Sequence, residues 1–141
     1  MRATRQPLAG LALGAAAGAG YGGFEAFCAF NQAFAAGLTW ASVQILGVGA
    51  LLVFIERLFA VPFHIGSTAL AGYGYTSGRP WRFWLLAVLL HSAINYGVVL
   101  VRAGLLNGAG LDIWGALVST ATIAPTFRLR RRAARPAVEA G

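Results

Sequence analysis

Lysine is absent from this 141-residue chain, and cysteine occurs once, as Cys28. Acids are Glu25, Glu56, Asp112 and Glu139 alone, and the histidines are His64 and His91. A single cysteine excludes an internal disulfide. Charged residues make up 11% of the chain, against about 25% in a soluble domain. That is too little charge to cover a surface facing water. The net charge of +7 is carried by arginine. No basic stripe interleaved with aromatics runs along the chain, which argues against a nucleic-acid partner. What is abundant is apolar: 58% of residues are hydrophobic and the mean hydropathy is +0.69. The composition predicts a single all-α domain, a polytopic transmembrane helix bundle.

A bilayer core takes about 20 apolar helical residues. Four runs approach or exceed that length, at about residues 7–34, 40–75, 81–101 and 111–127. Turn chemistry separates the later runs, as GYGYTSGRP (72–80) and GLLNGAGLD (104–112), while the break at AAGLTW (35–40) is weaker. The second run is too long for one straight span: at 1.5 Å per residue it would reach about 50 Å. Two forms are open, a tilted helix kinked near Pro62 or a short re-entrant or surface piece followed by a span.

Arginine placement predicts the orientation. Arg2 and Arg5 lie at one end, and Arg128, Arg130, Arg131, Arg132 and Arg135 lie in a basic tail, residues 128–141. Arg79 and Arg82 flank the second turn, whereas the connections near 35–40 and 104–111 carry no basic residue. Basic connections stay on the cytoplasmic side. The expectation is therefore a multi-pass protein of the cell membrane with both termini cytoplasmic and a tail suited to anionic headgroups. The start also has the form of a signal peptide, but the apolar run continues through Ala36, which suits a span. Trp40, Trp81, Trp84 and Trp114 lie near span ends, as an aromatic belt does.

Inside these spans the polar residues are few. Asn31, Gln32 and Gln44 fall near the outer interface, and Asp112 reads as an N-terminal helix residue beside the positive end of the dipole. Glu25, Glu56, Arg57, His64, His91 and Asn95 fall deeper. An ionised side chain at mid-bilayer costs about 3 kcal/mol on insertion scales, so such groups face the bundle interior and pair. Counted from the cytoplasmic side, His64 and His91 lie about 15–18 Å deep, and Glu25 and Asn95 about 20–27 Å. Glu56 lies at about 30 Å if its helix is straight. His91 and Asn95, four apart, share a helix face, and Glu56, Ala60 and His64 form a second stripe. Arg57 points off that stripe toward Glu25 or Glu56. Gly14, Gly18 and Gly22 recur every four residues, a spacing that lets helices approach closely and would press Glu25 against a neighbour.

These groups suit hydrolysis. A glutamate can act as general base toward water, a histidine can hold that water and move its proton, and Asn with a second His can donate to an oxyanion. The set needs no serine or cysteine nucleophile. His64, His91 and Glu25 or Glu56 could instead hold zinc. A non-enzymatic alternative is a proton-coupled carrier component using the same Glu and His groups as a relay.

Three stretches, GAGYGGFEAF (18–27), ERLFAVPFH (56–64) and HSAIN (91–95), resemble in order the signatures of the YhfC family of intramembrane proteases. That family is related to the CAAX-protease and bacteriocin-processing family. The resemblance implies that Glu25 activates water with His64 beside it, and that His91 and Asn95 form the oxyanion side. It also implies an intramembrane endopeptidase, glutamic or zinc-dependent, acting on a membrane-embedded or lipidated peptide. Here one glutamate stands where the wider family has a pair, and Ala60 stands four residues before His64 where that family has Phe. Glu56 and Arg57 fit the narrower pattern. Relatives of this kind carry more spans, so the chain resembles a truncated member of a larger bundle. A metal-free site is expected.

Overall fold

A computed structural model describes residues 6–134, which are helical throughout apart from short connections. The order is α1 (Pro7–Ala35), α2 (Trp40–Leu46), a 3-10 turn (Gly47–Leu51), α3 (Leu52–Thr76), α4 (Pro80–Arg102) and α5 (Gly108–Ala134). Pro7 and Pro80 open their helices, where the missing N–H costs nothing. Gly37, Gly78 and Gly104 each follow a helix end with positive φ, the left-handed stop that glycine adopts without strain. Arg2, Arg5 and Arg135, expected at the basic ends, lie outside the described residues.

The long second run resolves into two pieces. Thr39 and Ser42 cap each other at the start of α2, and Gly47 at φ 59° ends it after seven residues. The 3-10 turn carries the chain into α3, which continues through Pro62. At 25 residues α3 is about 37 Å long, which matches a bilayer with its interfaces. At the other end, α5 does not stop at Phe127. It runs on to Ala134 and takes Arg128–Arg132 into its last turns, since arginine propagates a helix well and suits the negative dipole end.

The central helix is α3, which packs on α1, α4 and α5. Its contact with α1 is nearly side-chain-free on one side. A Cβ at Gly14 would meet the Thr68 carbonyl, and one at Gly18 would meet the Thr68 hydroxyl and the His64 carbonyl. At Gly22 it would lie 3.1 Å from Val61 Cα. Gly10 extends the seam to Gly72 and Thr76. On the opposite face of α3, a Cβ at Gly66 would lie 3.1 Å from the Ile123 backbone of α5. The fully buried Thr122 beside it donates to the Val118 carbonyl at 2.7 Å. Trp114, near the start of α5, lies over Gly97 and donates its indole N–H to the Ala93 carbonyl at 2.9 Å, tying α5 to α4.

Ser67, Ser119, Thr122, Thr126 and His64 are buried beside Leu11, Phe63 and Leu70, while the outside is strongly apolar. Leu13, Phe24 and Phe27 on α1, Leu58 on α3, Trp81 and Leu89 on α4 and Leu117 on α5 are all exposed. Two helical stretches are long and apolar enough to cross a membrane, Trp40–Thr76 and Pro80–Arg102.

Candidate active site

The glycine seam sets the site. Because Gly18 and Gly22 bring the α1 and α3 backbones together, Glu25, one turn beyond Gly22, reaches His64. Its Oε2 lies 2.8 Å from His64 Nε2. Against an ionised carboxylate, which only accepts, this ring nitrogen is the donor. The same Oε2 lies 3.2 Å from Arg57 Nη1. Arg57 Nη2 lies 2.6 Å from Glu56 Oε1. Arg57 therefore pairs with both glutamates that the sequence offered as alternatives. Both contacts to Glu25 fall on Oε2, so neither engages Oε1.

His64 is buried and enclosed by rings. Tyr21 meets it edge-on with centroids 4.8 Å apart, Phe63 packs at 5.4 Å, and His91 of α4 stands 5.4 Å away. Thr68 donates to the His64 carbonyl at 2.6 Å, which fixes the backbone behind the ring. These contacts hold the imidazole in one orientation without a second carboxylate.

Glu25, Glu56, Arg57, His64, His91 and Asn95 all line one cavity between α1, α3, α4 and α5, and Ala60 lies on its wall as the stripe predicts. The space is about 60 Å³, room for a few waters. Every acid among the described residues and both histidines face it, in a chain that is otherwise basic. The lining includes Asp112, which the sequence reading set aside as a helix-end residue. The signal was present, because Asp112 sits in an apolar run as Glu25 and Glu56 do and carries the same insertion cost. Asn31, Gln32 and Gln44 stay outside the cavity and are exposed. Cys28 is half-buried on α1 and takes no part.

The donor set does not form a metal centre as arranged. Glu25 Oε2 and His64 Nε2, two of the atoms zinc would need, bond each other. Among the described residues no three His, Cys, Asp or Glu side chains converge on a common point. What the cavity offers is a carboxylate oxygen, a fixed imidazole, a second imidazole and an amide around a small space. No protein-family model, curated protein or solved structure matches the chain.

Proposed function

We propose that this chain is a multi-pass membrane protein that hydrolyses a peptide bond inside the bilayer. The observation that carries the proposal is the Glu25–His64 pair at 2.8 Å, facing a cavity shared with His91 and Asn95 from a different helix. The inverted surface supports the membrane part of the reading. All four long helices expose large apolar side chains, while His64, Ser67, Ser119, Thr122 and Thr126 are buried. That pattern suits helices solvated by lipid. In this reading α1, α3, α4 and α5 cross the membrane, and the ends of α3 and α5 and the starts of α1 and α4 face the cytoplasm.

The reaction follows from the roles. Water in the cavity gives a proton to Glu25 Oε1, and its oxygen bonds to the carbonyl carbon of the scissile peptide. Glu25 Oε2 stays anchored by His64 and Arg57, which leaves Oε1 free of both to take the proton. Asn95 and His91 donate to the oxyanion of the tetrahedral intermediate, where the low-dielectric interior makes such bonds strong. Collapse breaks the C–N bond as the proton held by Glu25 passes to the leaving nitrogen. The products are a carboxylic acid and an amine, and no covalent enzyme intermediate forms. The three motifs that resemble the YhfC signatures assign the same roles to Glu25, His64, His91 and Asn95.

The test is to express the chain and its Glu25→Gln variant in bacterial membranes and to map new protein N-termini by mass spectrometry. Cleavages that depend on Glu25 supply sequences for fluorescence-quenched peptides in liposomes. Glu25→Gln and His64→Ala are expected to abolish cleavage of those peptides. Loss of one oxyanion donor, as in Asn95→Ala, is expected to slow it about 10²–10³-fold. If no N-terminus depends on Glu25 while the liposomes show Glu25-dependent proton flux, the proton-coupled carrier is the correct reading.

A further inference from the structure

A second cavity lies apart from the first, nearer the end of the bundle that carries the arginines. It is a groove of about 530 Å³ between α1 and α5, with α3 as its floor. Leu8, Leu11, Ala12 and Ala15 form one side, Ile123 and Phe127 the other, and Ile65 and Ala69 the base. The close approach of Gly66 to Ile123 and of Gly18 to His64 separates it from the catalytic cavity. Arg130 closes one end; Arg128, Arg131 and Arg132 share its helix turns but do not line the groove.

The shape has a simple origin. Alanines at 12, 15 and 69 leave space that larger side chains would fill, and α1 touches α5 only lightly compared with its seam on α3. The groove is therefore apolar along its length and cationic at its mouth. From Leu8 to Ala15, or from Ile123 to Arg130, it spans about 10 Å of helix. Under the four-span reading the arginine end lies at headgroup depth and the apolar part lies beneath it.

We infer that this groove binds one anionic phospholipid, its acyl chain along Ala12, Ala15 and Ala69 and its phosphate on Arg130. Charge complementarity selects this occupant. A neutral apolar helix from another protein would leave the arginine end unmatched, whereas a phosphodiester supplies the charge and the acceptor oxygens that a guanidinium pairs with. The inference rests on the membrane reading above, and flotation of the intact chain with liposomes tests that reading separately.

The experiment is native mass spectrometry of the full chain in mild detergent, titrated with phosphatidylglycerol or phosphatidylethanolamine of identical chains. Phosphatidylglycerol is expected to remain bound at collision energies that strip phosphatidylethanolamine. Arg130→Gln is expected to lower its occupancy about fivefold, the effect of one basic contact near a headgroup. Arg132→Gln, away from the groove, is expected to change it little. Ala12→Phe fills an exposed part of the groove without touching the glycine seam and is expected to displace both lipids. Three outcomes overturn the inference. Equal retention of the two lipids is one. Equal loss in Arg130→Gln and Arg132→Gln with no effect of Ala12→Phe, the mark of a diffuse basic surface, is another. The third is a shift from dimer to monomer in Ala12→Phe, which assigns the groove to a second copy of the chain.

Discussion

Replacing Gly18 by alanine adds one methyl group and tests how the fold positions the Glu25–His64 pair. The new Cβ would fall on the Thr68 hydroxyl and the His64 carbonyl, 2.7 Å from the His64 carbonyl carbon, where ordinary contact begins at 3.4 Å. The clash is with backbone, so no side-chain rotation relieves it. The His64 carbonyl oxygen is nearer still than its carbon, so α1 must leave α3 by about 1 Å to restore ordinary contact. The Glu25–His64 bond, 2.8 Å long, then stretches to about 3.8 Å, beyond the range of a good N–H···O bond. Overpacking of this kind costs about 1–3 kcal/mol, and a 1 Å displacement at a reacting centre costs about a hundredfold in rate. Gly20→Ala is the matched control, because a Cβ there meets nothing within 4 Å. Thermal unfolding in detergent reads the first effect, and cleavage of a liposome-embedded quenched peptide reads the second. Unchanged melting and unchanged turnover in Gly18→Ala would refute the claim that this seam aligns the site.

Arg57→Met leaves Glu25 and Glu56 without their shared cation and is expected to destabilise the fold by about 1–3 kcal/mol in detergent melts. The lower end is favoured because the two carboxylates are about 40% exposed. Glu56→Gln in the same assay is expected to be milder, since Arg57 keeps Glu25. Elemental analysis of the purified chain is expected to show no stoichiometric zinc, and cleavage is expected to survive 1,10-phenanthroline, because Glu25 Oε2 and His64 Nε2 hold each other. In a Cys28→Ser background, Arg79→Cys is expected to react with a membrane-impermeant maleimide only from the cytoplasmic side and Leu105→Cys only from outside. Labelling of both from one side contradicts four crossings.

Much of this arrangement was legible because helices impose simple arithmetic. His91 and Asn95 four apart, and Glu56, Ala60 and His64 on one stripe, had to share faces, and all five line the cavity. The glycine repeat signalled a close helix contact, and the contact is there. Three features were legible only in part, each for a physical reason. The division of residues 40–76 into α2, a 3-10 turn and α3 depends on Gly47 taking positive φ, and an apolar glycine in an apolar run gives no sign of that. Arg57 serves two glutamates because α1 and α3 approach unusually closely, a distance that spacing along one helix does not encode. Asp112 was assigned by its position near a helix start, where a dipole suffices as explanation. Its place in the cavity depends on how α5 is rotated, and Trp114 over Gly97 shows how that rotation is held.

The fourth helix differs from its neighbours in how it is held. Gly97 is the one residue of α4 that is buried, whereas α1 and α3 are locked backbone to backbone. The cavity thus has one half joined backbone to backbone and one half joined through side chains. Glu25, Arg57 and His64 stand on the first half, and His91 and Asn95 on the second. Under the peptidase proposal, a transmembrane segment arriving sideways from the lipid would part the second half from the first, and the oxyanion donors would close onto its carbonyl afterwards.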